Sequence, residues 1–126
     1  MVSKNAVTAS PGASAYSTAK AAELHLARCL AEEGGEFGIR VNSVLPDGVL
    51  RDTNILHPEE RKKSAARHGV TSEELEEYFR KRNALKRLVT VEDVAEAILF
   101  FSSDRSAKIT GAVLNVDGGL ISAYLR

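Results

Sequence analysis

Apolar residues recur along this chain at two different periods, and the alternation between them predicts the elements. Ala15, Ala19, Ala22, Leu26 and Leu30, with Ala27 and Ala31 beside them, make a broad stripe at helical spacing. Ser14 stands where an N-cap is needed, and Gly34-Gly35 follows where a helix ends. Ile39 to Leu45 then alternates and is rich in Val and Ile, which predicts a strand stopped by Pro46. Pro58 to His68 reads as a short helix. Thr71-Ser72-Glu73-Glu74 is a capping box that opens another through Asn83, with Leu75, Tyr78, Phe79 and Arg82 on one side. Thr90-Val91-Glu92-Asp93 opens the last long helix, and Glu92 and Asp93 complement its positive end. Val94, Ala97, Ile98, Leu99 and Phe101 are its expected buried face. Ser102 to Ile109 reads as a loop, Ala112 to Val116 as an apolar strand suited to a parallel sheet, and Asp117-Gly118-Gly119 as a turn. The tail is apolar at Leu120, Ile121, Tyr124 and Leu125 and is expected to dock on a partner subunit. Met1 to Ser3 is too short for a strand and reads as the end of one.

Length allows one small domain at most, because the chain has 126 residues. Its 17 basic and 17 acidic residues balance, so nothing points to nucleic acid or an anionic membrane surface. No apolar run approaches the roughly 20 residues of a membrane span. Met1-Val2-Ser3-Lys4-Asn5 has no apolar signal core behind it, and the single Cys29 excludes an internal disulfide. Both features lead to the expectation of a reducing cytoplasm. Cys29 reads as a small buried apolar residue. His25 has no cysteine or second histidine at ligand spacing, so no metal is expected. His57 and His68 read as solvated surface groups.

Candidate chemistry lies in the first predicted helix. Tyr16 and Lys20 are four residues apart, hence one turn apart on one helix face. An ammonium about 4 Å from a phenol, at an effective dielectric near 20, favours the phenolate by roughly 4 kcal/mol. That is enough to bring a group with an ordinary pKa of about 10 toward neutral pH, where a general acid or base works best. Most Tyr-x-x-x-Lys pairs are nevertheless ordinary helix surface, and Ser3 by itself would read as a loop serine starting a turn. The wider arrangement carries the argument: Ser3 precedes Tyr16 by thirteen residues, an Asn-containing strand Arg40-Val41-Asn42-Ser43-Val44-Leu45-Pro46 follows, and the chain closes with Thr110-Gly111 and Asn115-Val116-Asp117-Gly118-Gly119.

In that order and spacing the chain resembles the second half of a short-chain dehydrogenase/reductase. The segments SKNA, AYSTAKAAELHLARCLAEEGG, GIRVNSVLPD and VDGG also resemble the oxidoreductase portion of bifunctional rhamnulose-phosphate aldolase/alcohol dehydrogenase proteins. The resemblance implies an α/β fold: the C-terminal part of a Rossmann-type doubly wound parallel sheet, with two full strands, the stub of a third and flanking helices. It implies that Ser3, Tyr16 and Lys20 are catalytic, with Ser3 holding the substrate carbonyl oxygen beside the Tyr16 phenol. Lys20 would lower the pKa of Tyr16 and bind the nicotinamide ribose. NAD or NADP is the implied cofactor, with Tyr16, Lys20, Pro46, Gly48, Val49 and Thr53 in its site. Relatives usually have Pro-Gly after this strand. Here Asp47 stands between Pro46 and Gly48, where it could contact a polar substrate. Residues 50–86 correspond to a substrate lid, Asn42 to a structural strand residue, and the Tyr16 helix to a dimer interface. The implied substrate is a small alcohol/aldehyde pair, with lactaldehyde suggested by the narrower resemblance alone.

The same comparison shows what this stretch lacks. A dinucleotide site needs a strand, a glycine-rich turn and a helix whose N-terminus meets the pyrophosphate. Gly34-Gly35-Glu36-Phe37-Gly38 follows a helix and precedes a strand, which is the wrong order. The family's Asn-Asn-Ala-Gly segment and ribose-reading acid are absent too. The strand Ile39 to Leu45 is left with an open edge that invites another chain, so a homo-oligomer is expected. The alternative is a truncated, catalytically inactive oligomerising fragment.

Overall fold

The structure, a computed structural model, describes residues 1–51, 53 and 57–123. Helix α1 spans Ser14–Gly35, strand β1 Ser43–Pro46, α2 Pro58–His68, α3 Leu75–Arg82, α4 Val91–Ser102 and strand β2 Val113–Val116. The two strands pair in parallel, with Ser43 opposite Val113 and Pro46 opposite Val116. Val2 donates its N–H to Val44 O at 2.9 Å on the other side of β1. The expected two strands and stub are therefore present in an α/β arrangement.

Alternation along β1 sends neighbouring side chains to opposite faces. Val44 packs with Val89, Val94 and Ala97 on the α4 side. Leu45 packs with Val2 and Leu24 on the α1 side and is fully buried. Helices thus cover both faces of a short parallel sheet, as a doubly wound fold requires. A third apolar cluster, of Leu50, Ala65, Leu75 and Phe79, binds α2 and α3 to each other beyond the end of β1.

Several local readings change. Strand β1 begins at Ser43 rather than Ile39, because its partner segment is irregular before β2. Val41 N–H donates to the Thr110 hydroxyl, Gly111 N–H donates to Val41 O, and the Asn42 amide spans Ile109 O and Ala112 N–H. Side chains there replace a backbone ladder, with Arg40 reaching Ser106 O at 3.0 Å and Ser106 Oγ at 2.7 Å. Ser14 is the first residue of α1; the cap position is Ala13, which makes no side-chain capping bond. Leu24 and Ala31 are the buried residues of α1, whereas Leu26 and Leu30 are 57% and 43% exposed. In α4, Val94 and Ala97 are buried but Ile98 and Leu99 are exposed. In both helices the sequence marked apolar positions correctly, but some of them lie off the face that meets this chain's own sheet. The Thr90/Asp93 capping box opens α4, whereas the reciprocal Thr71–Glu74 bonds close a turn ahead of α3, whose cap position is Glu74 and makes no side-chain capping bond. In the tail, Leu120 is buried and Ile121 exposed, and Tyr124 and Leu125 lie outside the described residues.

Leu45→Ala removes a fully buried side chain at the centre of this packing. It is expected to lower the unfolding free energy by about 2–5 kcal/mol, measured by urea denaturation with the denaturant slope unchanged.

Candidate functional site

Parallel sheets present their functional groups beyond the carboxyl ends of the strands. Here that end of β1 runs Pro46, Asp47, Gly48, Val49. Pro46 closes the ladder opposite Val116, and Asp47 N–H donates to Val116 O at 3.0 Å. Gly48 is required by a close approach: a Cβ there would stand 2.5 Å from the Phe79 ring of α3. Val49 leans on the Val44 cluster, and its carbonyl accepts from the Thr53 hydroxyl at 3.0 Å.

Ser3 lies beside this end because the Val2–Val44 hydrogen bond carries the chain past β1. A short 3-10 turn, Lys4–Ala6, follows it and packs along α1. The Ser3 hydroxyl accepts from Asn5 N–H at 3.2 Å, so it caps that turn. On α1, Tyr16 is 50% exposed, and the Lys20 Nζ lies 5.9 Å from its ring centroid. Lys20 donates to Glu23 at 2.6 Å. That hydrogen bond raises the Lys20 pKa above its ordinary value, and the Tyr16 phenol adds in the same direction.

Asp47 is enclosed rather than open. Its side chain is 3% exposed, both of its oxygens accept from the Arg82 guanidinium, and Lys4 Nζ stands 3.6 Å from Oδ1. Burial pushes the Lys4 ammonium below its ordinary pKa; Asp47 pulls it up and Arg82 pushes it down. Arg82 also covers the Phe79 ring at 3.9 Å. His68, read from sequence as a solvated surface group, instead stacks on Tyr78 at 4.6 Å and meets the edge of Phe79 at 5.7 Å. Burial there lowers its pKa. The structure therefore joins Tyr16 with Lys20, Val49 with Thr53, Gly48 with Phe79, and Asp47 with Lys4 and Arg82. Three of these partners, Lys4, Arg82 and Phe79, were not singled out as site residues, nor was Glu23, which accepts from Lys20. Glu23 was readable from its spacing to Lys20. The pairing of Asp47 with Arg82 crosses 35 residues and carries no local signal.

The helical segment 50–86 is fastened at its far end as well. Asn83 is buried and bridges Phe79 O and Arg87 O. It lies against Gly118, whose φ of +66° and contact with the Asn83 amide leave no room for a side chain. Among the described residues no three His, Cys, Asp or Glu side chains are grouped to hold a metal ion, and no helix is long and apolar enough to cross a membrane.

A family profile described as Enoyl-(Acyl carrier protein) reductase matches residues 1–121. The uncharacterized oxidoreductase YuxG of Bacillus subtilis is 54% identical over 124 residues, which are 98% of this chain and 18% of that protein. Carbonyl reductase (NADPH) 2 of Sus scrofa is 38% identical over 114 residues, 90% of this chain and 41% of that protein. The crystal structure of sorbitol-6-phosphate 2-dehydrogenase SrlD from Erwinia amylovora superposes with a TM-score of 0.85 at 34% identity, over 95% of this chain and 46% of that one. The chain thus spans less than half the length of these relatives.

Glu23→Gln removes the negative charge of the acceptor that holds the proton on Lys20, leaving only a neutral amide oxygen. The Lys20 pKa is expected to fall toward its ordinary value, read from the pH titration of its side-chain NMR signals; an unmoved titration would contradict the geometry. Because the folded-state pKa is raised, this pair contributes its stability below the ordinary lysine pKa and loses it only as pH rises through the alkaline range.

Proposed function

The chain belongs to the short-chain dehydrogenase/reductase family, and from that premise we propose that it supplies the catalytic half of an NAD(P)-dependent oxidoreductase acting on a small alcohol and its aldehyde or ketone. The observation that carries the reading is the Tyr16–Lys20 pair on one turn of α1, with Nζ 5.9 Å from the phenol ring centroid, on the helix against which the Ser3-capped turn packs. Tyr16 takes the proton from the alcohol oxygen, or returns it to the carbonyl oxygen. Lys20 stabilises the phenolate by its charge and orients the cofactor's ribose. Ser3 donates its O–H to the substrate oxygen while its Oγ keeps accepting from Asn5 N–H. NAD or NADP, when bound, exchanges the hydride with the substrate carbon.

The residues present fit one side of that cofactor only. Lys20 and Tyr16 offer an ammonium and a phenol on one helix face, and Pro46, Gly48, Val49 and Thr53 form the loop leaving β1. Phe79 fills the space over Gly48, so Val49 and Thr53 are the residues of this loop that would be left to hold the nicotinamide. No glycine-rich strand–turn–helix occurs in the 126 residues to hold a pyrophosphate. A second reading is an oligomerising module without activity of its own, which the exposed Leu26 and Leu30 on α1 support. Cytoplasmic placement, from the lone Cys29, fits either reading.

The substrate we favour is a small hydroxyaldehyde such as lactaldehyde, on the resemblance to the oxidoreductase portion of aldolase/alcohol dehydrogenase fusions. A homo-oligomer belongs to the same reading, since Leu26 and Leu30 leave an apolar stripe of α1 exposed.

Two measurements test this. Fluorescence titration with NADH and NADPH is expected to show saturable binding that Lys20→Ala weakens. Tyr16→Phe should retain binding, with turnover reduced by about 10²–10⁴. No binding up to millimolar cofactor would leave the inactive module as the surviving reading. Light scattering at micromolar concentration is expected to give a mass above that of one chain; a monomeric mass would remove the oligomer.

A further inference from the structure

Away from the Tyr16–Lys20 face, one buried carboxylate connects three separate parts of the chain. Asp47 is fixed to the sheet through its own N–H on Val116 O. Its two oxygens accept from Arg82, the last residue of α3, and Oδ1 also faces Lys4, the residue after Ser3. Residues 47 and 82 flank nearly the whole lid-like segment, so this pair holds the segment's far end against its start. Packing adds to the clamp, because the Arg82 guanidinium lies on the Phe79 ring and that ring fills the space over Gly48. Lys4 lies in the turn whose N-cap is Ser3.

We propose that Asp47 is a positioning residue: one carboxylate sets both the placement of α3, through Arg82, and that of the Ser3 turn, through Lys4. It acts on the substrate through these partners rather than by touching it. The proposal rests on the reading of Ser3 as a substrate-side group. Two cations share one acceptor, and Arg82 holds the larger share, with both oxygens against a single Lys4 approach at 3.6 Å. The placements are therefore coupled. Removing Arg82's charge frees the carboxylate for Lys4 and tightens the Ser3 turn, while removing the carboxylate releases both segments. A purely local contact between α3 and β1 predicts neither response at Ser3.

Hydrogen–deuterium exchange on the full chain reads the coupling without cofactor or activity, so its failure is distinguishable from failure of the enzymatic reading. The reporting amides of the turn are Ala6, Val7 and Thr8, which donate to Ser3 O and Lys4 O. With Asp47→Asn, exchange is expected to rise roughly tenfold or more both in α3 and at these three amides, because breaking a buried pair leaves the cations uncompensated; α4 should be unchanged. With Arg82→Gln, α3 should exchange faster while Ala6–Thr8 exchange more slowly. Arg82→Lys should recover most of the α3 protection. If Asp47→Asn speeds α3 alone, or Arg82→Gln leaves the Ser3 turn unaffected, the coupling is overturned. If Asp47→Asn unfolds the chain, the opposite signs expected in Arg82→Gln decide the matter.

Discussion

The short strand β1 is the constraint from which the rest of the architecture follows. Four residues, Ser43–Pro46, must pair with β2 on one edge and with Val2 on the other while burying side chains on both faces. Backbone groups in such a position have no access to water and must be paired. So short a ladder is extended by side chains, and Arg40 and Asn42 carry out that task on the loop before β2. Both are polar residues placed where a longer strand would have continued. The arrangement holds the two strands in register without lengthening either.

Once β1 is fixed, what leaves its carboxyl end is fixed as well. Asp47 makes the last backbone bond to β2, through its N–H on Val116 O, and its carboxylate meets the two cations, Lys4 and Arg82, that reach it from different elements. An isolated carboxylate this buried would be costly, and pairing is what makes the site tenable. Gly48 then permits Phe79 to close against the chain, which draws α3 over the strand end. The helical segment above the sheet is held by charge at Asp47, by ring contact at Gly48 and by the Asn83–Gly118 contact.

Much of the site was legible because its signals are local. Tyr16 and Lys20 lie one helical turn apart, and the structure places them together for the reason the spacing suggests. The capping box at Thr90 and the reciprocal Thr71–Glu74 bonds are likewise four-residue events. Asp47 was legible as an unusual residue but not in its surroundings. Its partners come from positions 4 and 82, and nothing near either one announces the pairing. His68 was read as a solvated group for the same reason, since the ring it stacks on, Tyr78, belongs to a different helix.

The sequence by itself determined which stretches become helix and strand and that Tyr16 and Lys20 share one helix face. Those properties follow from periodicity, caps and short-range spacing, all set within a few residues along the chain, whereas the assembly of the elements into a parallel α/β sheet was implied by the family resemblance. Tertiary structure decided where β1 starts, which α1 side chains face the sheet, and that Asp47 is enclosed. The stripe from Ala15 to Leu30 illustrates the difference: apolar character alone does not say which surface covers it, and in this chain Leu24 and Ala31 turn inward while Leu26 and Leu30 remain exposed. Burial and charge pairing depend on which elements meet, and that is settled only when the whole chain packs at once.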